Sequence, residues 1–164
     1  MMARTRQRGT VLVLCITLVT LLGLLGMSAI QVATQQQRMA ANQLAAMRAF
    51  ESAERLLRVG EARSASVALC QFCVPPPHVD RISAPGQADP FIQWHADGSG
   101  LYAIQNLGAS TTAAHMPADL PVTLFRVTAI GLERQSRVVL ESVYAWPDAA
   151  SGLAPRRIAW RQVI

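Results

Sequence analysis

The chain has no lysine: all fifteen basic residues are arginine, set against ten acids for a net charge of +5. Aromatics are scarce at 5%, cysteines number three, and no proline precedes Pro75. Each shortage excludes something. A nucleic-acid surface needs a basic stripe with interleaved aromatics. Here Arg4, Arg6 and Arg8 crowd the start, Arg156, Arg157 and Arg161 the end, and the other arginines alternate with acids, so no nucleic-acid partner is expected. No GxSxG elbow, phosphate-binding glycine loop or HExxH pair occurs. The chain is therefore expected to be no enzyme, with no catalytic residue, cofactor or metal.

Charge is missing altogether from Val11 to Ala33. The run Thr10 to Ala33, "TVLVLCITLVTLLGLLGMSAIQVA", has 24 residues, and about 20 helical residues cross a hydrocarbon layer. Arginines before it and none within it predict a cytoplasmic N-terminus and a periplasmic remainder. A cleaved secretory signal would have a shorter apolar core and a small-x-small site; Met27 with Ala29, or Gln31 with Ala33, match that poorly. The hydroxyls of Thr17, Thr20 and Ser28 can return to the helix backbone. Gly23 and Gly26, three apart, do not form a GxxxG face. Cys15 reads as a small hydrophobe within the apolar run.

The following segment, "TQQQRMAANQLAAMRAFESAERLLR", is rich in helix formers, so the helix is expected to run on to about Val59. Met39, Ala46, Phe50, Ala53 and Leu57 fall on one helical stripe that should pack on the domain. Glu51 with Arg55, and Glu54 with Arg58, are i,i+4 pairs expected to support a solvated face. Val74 to Pro90 holds five prolines and reads as a loop. Two apolar runs flank the turn at Asp97-Gly98-Ser99-Gly100. Val122–Ile130 and Arg137–Tyr144 form a long hairpin, and "RRIAWRQVI" forms a last or edge strand, with Ile158 and Trp160 on one face and Ala159 and Arg161 on the other. The expectation is α+β: a long N-terminal helix, half membrane-spanning and half emergent, packed on a four- or five-stranded antiparallel sheet.

Cys70 and Cys73 are expected to close a local disulfide in an oxidising compartment. A thioredoxin-type site would open a helix, whereas this pair precedes Pro75-Pro76-Pro77. Zinc would need two more ligands, and only His78 is near, with His95 and His115 elsewhere. Asp80, Asp89, Asp97 and Glu133 lack the spacing of a calcium loop.

The basic leader ending in glycine, the apolar helix directly after it, the amphipathic extension and the small β domain together resemble a class III prepilin. More narrowly, the N-terminal region is similar to the PilX family of type IV pilus minor pilins, in which a run like "LLGxSAM…EERMAGN…AFQAAEAALR" is typical. The matching positions are Leu24, Leu25, Gly26, Ser28, Ala29, Arg38, Met39, Ala40, Asn42, Ala49, Phe50, Ala53, Glu54 and Arg58. The likeness spans about residues 6 to 58. "LFRVTAIGLERQSRVVLESVYA" resembles the family's C-terminal hairpin more loosely, and Ala62 to Gln93 has no counterpart.

The resemblance implies a pilin-like fold and cleavage by prepilin peptidase between Gly9 and Thr10, which discards residues 1–9 and lowers the net charge from +5 to +2. It implies N-methylation of Thr10, then assembly with other minor pilins and the major pilin in a priming or tip complex, with a tip adhesin as a further partner. Residues 10–33 would anchor the chain in the inner membrane, 34–62 continue the helix into the periplasm, and 63–164 form the globular domain. Shaft pilins carry glutamate at the fifth mature position, where this chain has Leu14. An unpaired carboxylate in hydrocarbon costs several kcal/mol, so leucine suits a subunit near the tip, with no neighbouring amino terminus to neutralise. The alternatives are a minor pseudopilin of type II secretion, whose tip component also lacks the glutamate but carries a large helical insertion, and a plain bitopic inner-membrane protein with a periplasmic interaction domain.

Overall fold

The computed structural model describes residues 8–71, 73–85, 92–98 and 100–164. Helix α1 runs over Arg8–Arg63, and five strands follow: β1 Trp94–Ala96, β2 Gly100–Ser110, β3 Val122–Glu133, β4 Ser136–Pro147 and β5 Arg156–Gln162. The chain divides into two compact units, Met1–Gln43 and Leu44–Ile164.

In the first unit α1 presents its apolar side chains outward: Val11 through Val32 keep between 51% and 68% of their large hydrophobic surfaces exposed. Thr17 and Thr20 donate their hydroxyls to the carbonyls of Leu14 and Thr17, each at 2.9 Å, so their polar atoms are satisfied within the helix. It is a helix long and apolar enough to cross a membrane, compatible with a single-pass anchor.

In the second unit the strands form one antiparallel meander in the order β1-β2-β3-β4-β5, and the end of α1 packs on one face. Ala49, Ala53, Leu56 and Leu57 meet Tyr102, Val127, Ala129, Val138 and Leu140. Burial of each leucine contributes about 2 kcal/mol. The layout is α+β and consistent with a pilin-like fold.

The packed stripe is not the expected one. Ala53 and Leu57 are buried, but Ala46 is exposed, Met39 is 57% exposed and Phe50 37%, while Ala45 and Ala49 take the inward positions. Small side chains win because the helix backbone lies against the sheet: a Cβ on Gly131 would stand 1.9 Å from the Ala49 carbonyl oxygen. Gly60, where the helix was expected to stop, lets it continue; a Cβ there would meet Val127 Cγ1 at 2.5 Å. Glycine is chosen for close approach and not as a terminator. Phe50 instead meets Trp160 edge to face, with ring centroids 6.2 Å apart.

Part of the reverse face of the sheet is covered by Val79 and Ile82 of the proline-rich connection, with Ile92 and Trp94 at the entry to β1. These side chains pack on Leu101, Ala103, Ile130 and Val139. A proline-rich segment cannot pair as a strand, so its carbonyls need other donors. Arg137 supplies them, donating from Nη1 to the carbonyls of Val79 at 2.9 Å and Ile82 at 2.6 Å.

The last strand departs from simple alternation. A register shift between Val143 and Tyr144 pairs Val143 with Ala159 but Tyr144 with Arg157. The bulge turns both Arg157 and Trp160 toward the helix, since their partners Tyr144 and Ser142 share a face. Pairing extends to the C-terminus, where Val163 donates to the Val139 carbonyl and Val139 to that of Ile164.

Candidate functional site

Gly9, Thr10 and Leu14 all lie within α1, and with Val13 and Thr17 they line one shallow, mainly apolar groove on its surface. Leu14 is 67% exposed. Residues 1–7, including Arg4 and Arg6, lie outside the described residues. No charged side chain adjoins Leu14 along the helix from Gly9 to Gln37, so a group docking on this turn meets apolar side chains and two threonines, Thr10 and Thr17. Cys15 is also exposed on the helix surface.

Cys70 and Cys73 are joined by a disulfide with Cα atoms 5.5 Å apart. The helix ends in a 3-10 turn at Ser64–Ser66, and the strap that follows is laid along β2. Leu69 bridges Asn106 in parallel, and the Cys70 N–H donates to the Asn106 carbonyl at 3.0 Å. Asn106 also donates through Nδ2 to the Val67 carbonyl and accepts the Gly108 N–H at Oδ1, both at 2.9 Å, where β2 shifts register. Beyond the disulfide, Gln105 Nε2 reaches the Val74 carbonyl at 2.9 Å and Arg126 Nη1 the Cys73 carbonyl at 3.0 Å. The disulfide thus closes a strap that covers part of an otherwise open sheet edge. Sequence reading expected the pair but not its seat; the Asn-Leu-Gly triplet at 106–108 was the one available sign of a bulge.

A second cluster ties the bulged edge strand to the helix. Arg157 grips Glu61 through Nε at 2.7 Å and Nη2 at 3.1 Å, and reaches Glu54 through Nη1 at 2.9 Å. Ser142 donates to the same Glu61 Oε1 at 2.7 Å. Burial works against the guanidinium's charge, but hydrogen bonds to Glu61 and Glu54, and then their charges, outweigh it, so Arg157 holds its proton more firmly than usual. Tyr144 is pushed above the ordinary tyrosine range, first by burial and then by the negative charge of Glu61, with Arg157 opposing. Glu54 therefore does more than support a solvated helix face, although its pair with Arg58 is present at 3.6 Å. Arg55 reaches away to Asp97 in the β1–β2 turn at 3.2 Å, where an i,i+4 partner in Glu51 was expected.

His95 stacks on Tyr102 with centroids 5.2 Å apart, and His78 and His115 sit in turns at positive φ. Among the described residues no three His, Cys, Asp or Glu side chains gather as a metal site; Asp89 lies outside them.

No family model matches the chain, and no curated protein or solved structure matches it.

Proposed function

We propose that this chain is a minor pilin of the PilX kind, a non-catalytic subunit that helps prime or cap a type IV pilus. The observation that carries the reading is the single unbroken helix Arg8–Arg63, whose apolar first half follows Gly9 directly and whose last turns serve as one layer of a small α+β domain. In this reading prepilin peptidase cuts between Gly9 and Thr10, Thr10 is methylated, and the apolar half holds the subunit in the inner membrane until it enters the fibre. The arginines ahead of Gly9 keep the scissile bond on the cytoplasmic side. Leu14 supports a place at or near the tip, because a subunit with no neighbour above it has no amino terminus to neutralise and a carboxylate there would be buried unpaired.

N-terminal sequencing after co-expression with prepilin peptidase tests the core of this. A mature chain beginning at Thr10, lost on Gly9→Leu, is expected; a chain that keeps its original start identifies a plain membrane anchor instead. In assembled fibres, crosslinks confined to one end are expected, and regular spacing along the shaft would remove the tip assignment.

A further inference from the structure

Between the end of α1, the disulfide strap and the first two strands lies an open cleft of about 740 Å³. Its size is that of a ligand site, where typical volumes are about 300–1,000 Å³. Its chemistry is one-sided. Arg63 brings the one full charge among the described lining residues, and no acidic side chain lines the cleft among them. Arg63 donates through Nη1 to the Tyr102 hydroxyl and lies with its guanidinium carbon 5.9 Å from that ring's centroid. It forms no ion pair among the described residues, and its other N–H groups make no hydrogen bond there. His95, stacked on Tyr102, adds an imidazole on the same wall.

The remaining walls suit a polypeptide. Gln71 and Gln93 are exposed and carry amides that both donate and accept, as peptide groups do, and they stand beside Val67, Leu69 and Ile104. Leu69 stands 65% exposed at the cleft although it belongs to the strap pinned on Asn106. The strap is held by the disulfide and by backbone hydrogen bonds, so the cleft is built before any ligand arrives and ordering it costs little on binding.

We propose that this cleft binds an extended acidic segment of a partner polypeptide, one of whose carboxylates takes the free edge of Arg63 while its peptide groups meet the glutamine amides. An arginine whose position is set by a tyrosine hydroxyl presents its remaining donors as a planar fork, which matches a carboxylate better than a point charge does. This goes beyond the assembly role proposed above and does not depend on it, because every residue it uses lies in the globular unit.

The test is a titration of the full-length protein in zwitterionic micelles, followed by amide and arginine-guanidinium NMR shifts. The probes are a blocked tetrapeptide with a central glutamate, its glutamine counterpart, and inorganic phosphate. The glutamate peptide is expected to move signals of Arg63, His95, Gln71 and Gln93 and to bind roughly tenfold more tightly than the glutamine peptide, the worth of one charge-assisted hydrogen bond. Arg63→Gln should abolish that preference while leaving the amide pattern of β3 and β4 unchanged, and Arg63→Lys should restore only part of it. Equal shifts from both peptides, saturation by phosphate with no preference for the peptide, or no shift at these residues would each overturn the proposal. The two peptides on the unaltered protein decide the matter even if a variant fails to fold.

Discussion

One helix carries two kinds of surface. From Val11 to Val32 its leucines, valines and isoleucines are all more than half exposed, whereas from Ala45 to Gly60 its inward positions are alanine, glycine and two leucines that are buried. The larger side chains stand where the helix surface is exposed, and the smaller ones where its backbone lies against the sheet. Hydrophobicity marks the first half, but closeness of approach marks the second. Apolar size alone therefore points to Phe50, which is 37% exposed and meets Trp160 at its edge, where the sheet buries Ala49 and Ala53.

The contrast is broken most severely at Gly131. Gly131→Val forces a side chain into the Ala49 backbone, and overpacking of this kind costs about 3 kcal/mol or more. Urea unfolding followed by tryptophan fluorescence should show a much lower midpoint or no folded baseline, while Leu21→Ala in the exposed half should leave the same transition unmoved. The next largest effect is expected from Glu61→Ala, which removes the carboxylate held by Arg157 and Ser142. Arg157 keeps its pair with Glu54 and is 26% exposed, so the loss is expected at about 2 to 3 kcal/mol rather than the full cost of an uncompensated buried charge, and amide exchange should rise first in β5. A variant with β5 still protected would show that strand pairing alone holds the edge.

Opening the disulfide comes third. A loop this short gives about 2 kcal/mol by chain entropy, so Cys70→Ser with Cys73→Ser should lower stability by about that amount, with exchange confined to residues 67–74 and the β2 residues beneath them. The smallest effect is alkaline. Because the folded-state pKa of Tyr144 is raised, the stability linked to its neutral hydroxyl is intact below the unfolded value of about 10 and is lost as pH climbs through the folded value. Tyr144→Phe should flatten that alkaline limb, seen as a smaller fall in unfolding midpoint between neutral and strongly basic buffer. An unchanged limb would assign it to other groups.

Much of this protein was legible from local pattern. The charge-free run after Gly9, the helix formers beyond it, the turn at Asp97-Gly98 and the alternation in β3 and β4 each depend on neighbours a few residues away, so the α+β layout and the paired strands could be read directly. The Gly9, Thr10 and Leu14 assignments also came from linear sequence, through resemblance. What escaped was everything settled across long separations. Glu61 and Arg157 are 96 residues apart and Arg137 reaches Val79 across 58; no periodicity links such pairs.

The sequence by itself determined where the chain is apolar enough for a membrane, where it is helical and where it alternates, because hydropathy and backbone propensity are properties of short windows. Only the tertiary structure decided which helix face is buried, because that depends on how near a particular strand lies, and a single glycine at 131 sets the distance. It alone decided that the bulge in β5 turns Arg157 inward, that arginines hold the proline-rich connection on the reverse face, and that Arg63, His95 and the disulfide strap share one cleft. Those outcomes depend on packing, which brings together side chains the linear order keeps apart.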